Sequence, residues 1–164
     1  MRRFAILAVT LLAACVPGPA ERTMLPQADL VVVDKSERTL TLYAAGRQIK
    51  TYRGVQLGDA PEGHKRFQGD ERTPEGRYTI DYRNPRSAYF LSLHLSYPAA
   101  ADRAYAAQHG RSPGGDIFIH GQPNWLPSGR LPGDWTDGCI ALTNAEIEEL
   151  WRAVPDGTPI EIRA

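Results

Sequence analysis

Residues 89–97, YFLSLHLSY, constrain the fold more than any other stretch, because their alternation runs unbroken. Tyr89, Leu91, Leu93, Leu95 and Tyr97 fall on one face of an extended strand, and Phe90, Ser92, His94 and Ser96 on the other. The leucine face has to bury against a core, so the opposite face meets water or a cleft. Ser92 and His94 are candidates to line a substrate groove there, and a solvated or structurally bonded histidine is the plainer reading of His94. Upstream, residues 30–33 form a continuous apolar run, 39–43 alternate, and 49–55 follow an Ala-Gly turn. The separators DKSER and AAGR are turn material, so these three strands form an antiparallel meander. Residues 58–76 are glycine-rich and charged, hence loop, and further strands are expected at 77–82, in GGDIFIHG and at 159–162. A short helix fits 99–108, stopped by Gly110. A second helix opens at Thr143, which forms a capping box with Glu146, and places Ile147, Leu150, Trp151 and Val154 along one face. The sum is a mainly β fold, a curved or sandwiched sheet with one or two helices packed on it.

The N-terminus, MRRFAILAVTLLAAC, bears on the compartment. Arg2 and Arg3 precede an apolar stretch too short to span a bilayer, and Ala13 and Ala14 are the small residues wanted before a cleavage point. Leu12-Ala13-Ala14-Cys15 resembles the lipobox of bacterial lipoproteins, which implies cleavage before Cys15 and a lipid on its sulfur; an ordinary secretory signal with an incidental cysteine is the plainer reading. The chain then divides into a signal segment 1–14, a lipidated cysteine and flexible tether 15–28, and one domain over 29–164. Val16 follows the cysteine where an aspartate would favour inner-membrane retention, so a periplasmic domain held at the outer membrane by lipid alone is the expectation. The formal net charge is zero, which gives nucleic acid no footing.

With Cys15 lipidated, Cys139 has no partner in an oxidising compartment. A buried structural cysteine is the bland reading of such a thiol. Its neighbours point elsewhere: His120-Gly121 ends a hydrophobic strand, and fifteen residues, 121–135, separate that histidine from Thr136-Asp137-Gly138-Cys139. His-Gly, a loop of this length, then Ser/Thr-x-Gly-Cys and a short apolar strand resemble the signature of the L,D-transpeptidase (YkuD-type) catalytic domain. VVVDKSERTLTLY is similar to that family's opening hairpin and RTPEGRY to its Thr-Pro-x-Gly strand entry, so the resemblance covers nearly all of the domain. Two positions depart from it: Asp137 stands where histidine is frequent, and Ala141 where arginine commonly follows Cys-Ile. These departures look more like the divergent branch that includes amidases cutting lipoprotein–peptidoglycan links. The fold implied is a YkuD-like curved β-sandwich.

In chemical terms the thiolate of Cys139 is the nucleophile, and an adjacent imidazole, His120, takes its proton and can hold an ion pair. The ring's other nitrogen needs an acceptor, for which the family implies the Gly121 carbonyl. Backbone amides around Asp137, Gly138 and Cys139 are the natural oxyanion hole. Trp125 and Trp135 bracket the intervening loop as core residues or as a lid over the cleft. Arg72, Arg77 and Arg86 are either substrate contacts or solvated charges, and His64 and His109 read as plain surface residues. No pair has metal-ligand spacing, and the chemistry calls for no metal or cofactor.

The function implied is a periplasmic cysteine acyltransferase on peptidoglycan stem peptides, passing an acyl group from the diamino acid to an amine. An outer-membrane lipoprotein or other protein could serve as acceptor or substrate. Two alternatives stand beside it. One is an L,D-carboxypeptidase or amidase that hydrolyses stem peptides or lipoprotein–peptidoglycan links; the other is a non-catalytic lipoprotein that binds the cell wall.

Overall fold

The computed structural model describes residues 24–164; the segment 1–14 and Cys15 lie outside them. Eight strands and two helices follow one another as β1 (Leu30–Asp34), β2 (Thr39–Ala44), β3 (Arg47–Arg53), β4 (Gly76–Ser87), β5 (Phe90–Leu95), α1 (Ala100–Gln108), β6 (Phe118–His120), β7 (Ile140–Ala141), α2 (Asn144–Ala153) and β8 (Thr158–Arg163). All eight strands join one curled sheet in the order β3-β2-β1-β8-β4-β5-β6-β7. The mainly β architecture with two helices is therefore as the sequence implies.

The meander is present: β1 pairs antiparallel with β2, Val33 opposite Leu40, and β2 with β3, Leu40 opposite Tyr52. β8 then inserts beside it, parallel to β1 with Val31 opposite Ile160, and antiparallel to β4 with Tyr78 opposite Ile160. β4 runs on to Ser87, past the end expected at 82, with register breaks between Ile80 and Tyr82 and between Asn84 and Ser87. Such breaks bend a strand and sharpen its twist.

The alternation of β5 is realised over most of its length. Leu93 and Leu95 are fully buried, Tyr97 nearly so, and Leu91 packs partly against the core. Tyr89 departs from the pattern and is exposed, because the chain turns at Phe90, whose φ is +65°, and the strand starts only there. α2 covers β5 with Ile147, Leu150 and Ala153. Its start is the expected capping box: Thr143 Oγ1 accepts from the Glu146 N–H at 3.3 Å, and Glu146 Oε2 accepts from the Thr143 N–H at 2.9 Å.

Candidate active site

β5, β6 and β7 form the end of the sheet that carries the motif residues. β6 lies antiparallel to β5, which sets His120 opposite Ser92 and Phe118 opposite His94. Residues directly opposite in such a pair project to the same side. The Ser/His face of β5 is thus the side on which His120 stands. β7 runs parallel to β6, with Ile140 opposite Ile119. Cys139 precedes that pair and falls beside Phe118, whose N–H donates to Sγ at 3.4 Å, while the thiol points at the Asp116 carbonyl 3.6 Å away. A register set by three short strands therefore brings two motifs, far apart in the chain, to one place.

His120 Nδ1 lies 2.6 Å from the Gly121 carbonyl oxygen. A carbonyl can only accept, so Nδ1 carries the proton and Nε2 is left as the ring's acceptor. Tyr89 stacks on the imidazole with centroids 4.6 Å apart, and Trp135 stands 5.6 Å from it. Gly121 is required for packing: a Cβ there would meet Asn144 Oδ1 at 2.6 Å, so only glycine brings the end of β6 this close to α2.

His120 and Cys139 open into one cleft of about 770 Å³, which Lys65, Asp116, Trp135 and Asp137 also line. Burial holds the His120 imidazole down to about 4, against the opposing pull of the Gly121 carbonyl. The thiol of Cys139 is pushed up to about 11, first by burial and then by the Asp137 and Asp116 carboxylates, with the Phe118 N–H and Lys65 acting the other way. Burial thus disfavours the charged form of each group taken singly.

The turn before Cys139 is built on Gly138. Its φ is +125°, and a Cβ would meet the Arg72 carbonyl oxygen at 2.5 Å. Thr136 closes the turn: its hydroxyl accepts from the Gly138 N–H at 3.2 Å and donates to the Cys139 carbonyl at 2.7 Å. Of the three amides expected to form an oxyanion hole, Gly138's is thereby engaged. Among the described residues, the N–H groups of Asp137 and Cys139 have no such acceptor.

The remaining candidates lie apart from the cleft, except one. Ser92, opposite His120 in the strand pair, is 3% exposed and does not line the cleft. His94 is likewise outside the lining; its Nδ1 lies 2.6 Å from Asp81 and its ring stacks on Tyr82, which is the bonded reading. Trp125 is 71% exposed and away from the lining, whereas Trp135 is a wall of the cleft. The loop between the motifs is pinned by a buried pair of glutamines. Gln122 Nε2 donates to Gln56 Oε1 at 3.1 Å and to the Leu142 carbonyl at 2.8 Å, and Gln56 Nε2 donates to the Leu131 carbonyl at 2.6 Å.

His64 is not a plain surface residue. It accepts the Glu75 N–H on Nδ1 at 2.9 Å and donates from Nε2 to Asp102 at 3.0 Å, tying the glycine-rich loop to α1. His109 is exposed and bonds the Tyr105 carbonyl. Arg72, Arg77 and Arg86 do not line the cleft. Lys65, Tyr89 and Asp116 do, and sequence reasoning did not single them out. Tyr89 carried a signal, as an aromatic next to a turn, but periodicity assigned it to the core.

A curled, mainly β sheet that gathers a histidine and a free cysteine into one open cleft defines a small class of folds. Within it, the chain belongs to the L,D-transpeptidase catalytic domain family (YkuD), which matches residues 28–162. It is 30% identical over 134 residues to YafK of Escherichia coli K12, whose name assigns it to the L,D-transpeptidases; the match covers 76% of this chain and 46% of YafK. Among solved structures it is similar to the helical cell shape determining protein Pgp2 from Campylobacter jejuni, with TM-score 0.67 and 28% identity, over 88% of this chain and 51% of that one. An L,D-transpeptidase from Xylanimonas cellulosilytica shares the fold at TM-score 0.54 and 16% identity, over 88% of this chain and 63% of that one. The chain spans about half the length of YafK and of Pgp2.

Proposed function

We propose that this chain is a cysteine acyltransferase acting on peptidoglycan stem peptides, held in the periplasm by a lipid on Cys15, with the outer membrane as its favoured site. One observation carries the reading: the Gly121 carbonyl fixes the His120 proton on Nδ1, leaving Nε2 as a base in the cleft that also holds Cys139. Because burial disfavours the charged form of each partner, the thiol proton passes to Nε2 as sulfur attacks the carbonyl of the diamino acid. The N–H groups of Asp137 and Cys139 are the donors for the resulting oxyanion. Collapse breaks the C–N bond, the imidazolium returns its proton to the leaving amine, and a thioester remains on Cys139. An acceptor amine then attacks, His120 again taking a proton. The carboxylates of Glu71, Asp116 and Asp137 along the cleft favour an acceptor that arrives as an ammonium.

Hydrolysis is the second reading, favoured by the partial exposure of Cys139 in an open cleft, where water can reach the thioester. Pgp2 is a determinant of helical cell shape, and remodelling of the wall with consequences for shape follows here from either outcome. Mass spectrometry of muropeptides incubated with the pure protein separates crosslinked, exchanged and trimmed products. Cys139→Ala is expected to abolish all three while the fold persists. Full turnover by that variant refutes the nucleophile, and a purely cell-wall-binding role would show no product with the wild type either.

A further inference from the structure

Apart from His120, Lys65 is the one basic side chain among the residues that line the cleft. Its side chain is only 3% exposed. Nζ lies 3.0 Å from Asp70 Oδ1 and donates to the Asp137 carbonyl at 3.4 Å. Asp70 is itself fixed to the backbone of its loop, accepting the N–H groups of Arg66 at 2.6 Å, Phe67 at 2.9 Å and Arg72 at 3.2 Å. A staple between a lysine and an aspartate of one loop works equally well at the surface, where it avoids the cost of withdrawing an ammonium from water. Here the pair is turned inward, and its positive end faces the turn that carries the thiol.

We propose that Lys65 is a positioning residue for the nucleophile turn, holding the Asp137–Gly138 peptide through the Asp137 carbonyl and setting a positive charge beside the negative charge that develops during acylation. The route is a chain of dipoles. The ammonium polarises the Asp137 carbonyl and with it the Gly138 N–H of the same peptide. That N–H donates to Thr136 Oγ1, and the Thr136 hydroxyl donates to the Cys139 carbonyl. Each link strengthens the next in a site of low dielectric. Lys65 also opposes the effect of Asp116 and Asp137 on the thiol. The inference rests on Cys139 being the nucleophile, and its test is chosen to fail separately from that reading.

The measurement is the rate of Cys139 alkylation by iodoacetamide between about pH 8 and 10, followed on the intact protein, beside the rate of acyl-enzyme formation with muropeptides. Removing a direct oxyanion donor costs about 10²–10³-fold; a charge acting one peptide away should cost about tenfold. Lys65→Met is expected to lower both rates by about that factor, with little change in substrate affinity, and Lys65→Arg to restore most of the loss. Asp70 keeps its three backbone bonds in these variants, so the loop should hold. Should Lys65→Met not fold, Lys65→Gln and Lys65→Arg carry the comparison, since both keep a donor and only the arginine keeps the charge. A folded variant without the charge that alkylates and acylates at wild-type rates overturns the proposal and leaves Lys65 a loop staple. A wild type that forms no acyl-enzyme overturns the proposed function and with it Lys65's part in acylation, and a dependence of alkylation on Lys65 then supports only the action of the charge on the thiol.

Discussion

At Cys139 burial disfavours the thiolate. Because the thiol is pushed up to about 11, iodoacetamide should react slowly near neutrality and ever faster as pH climbs toward that value. A rate already level by about pH 9, the range of an ordinary thiol, would contradict the burial argument. Slow alkylation at neutral pH is accordingly no sign of a dead site. His120 gives a prediction of stability. Its folded-state value is lowered from 6.5 to about 4, so the unfolded chain binds the proton first. The wild type should lose ~3 kcal/mol more than His120→Gln as pH falls from about 6.5 to 4, and nothing above that window. Urea melts across the range measure it, and parallel curves for the two proteins would exclude the shift. Both residues were legible in the sequence, because motif spacing and a strand end single them out. Lys65 was not: a lysine in a charged, glycine-rich loop looks solvated, and only the fold turns it inward.

At the level of elements, local pattern sufficed where side chains decide and failed where distant pairing does. The alternation of β5 and the capping box of α2 were readable because each is a contract between near neighbours. The two residues of β7 have too little pattern of their own to mark a strand; the family resemblance was what placed one after Cys139, and its partners lie in β6 and at Gln56. The turn at Gly138 is a sensitive joint between elements. With φ at +125° and a carbonyl oxygen 2.5 Å from where a methyl would sit, Gly138→Ala should displace the thiol, lowering stability by ~1–3 kcal/mol and acylation far more. Wild-type acylation by that variant would show the turn to be tolerant. The loop between the motifs depends on Gln122. Gln122→Ala removes the partner of the Leu131 N–H and the Leu142 carbonyl, and should cost ~1–3 kcal/mol in a urea melt.

For the whole molecule, the strand order matters more than any single contact. Among the named strands β8 joins the ribbon β3-β2-β1 to the ribbon β4-β5-β6-β7, being paired to β1 on one side and β4 on the other, while at the far ends Gln56, just after β3, bridges to Ala141 of β7. No periodicity in residues 158–163 announces this; it is a property of pairing across more than a hundred residues. A stop codon after about residue 157 should therefore leave two ribbons held to each other by the short Gln56–Ala141 bridge in place of a shared strand, and circular dichroism should show no cooperative melt. A cooperative melt would mean the ribbons dock without it. The consequence reaches into biogenesis. Until β8 has been synthesised, the growing polypeptide holds seven strands but no finished sheet, so the surroundings of Cys139 can settle only after every strand that precedes β8 has been made.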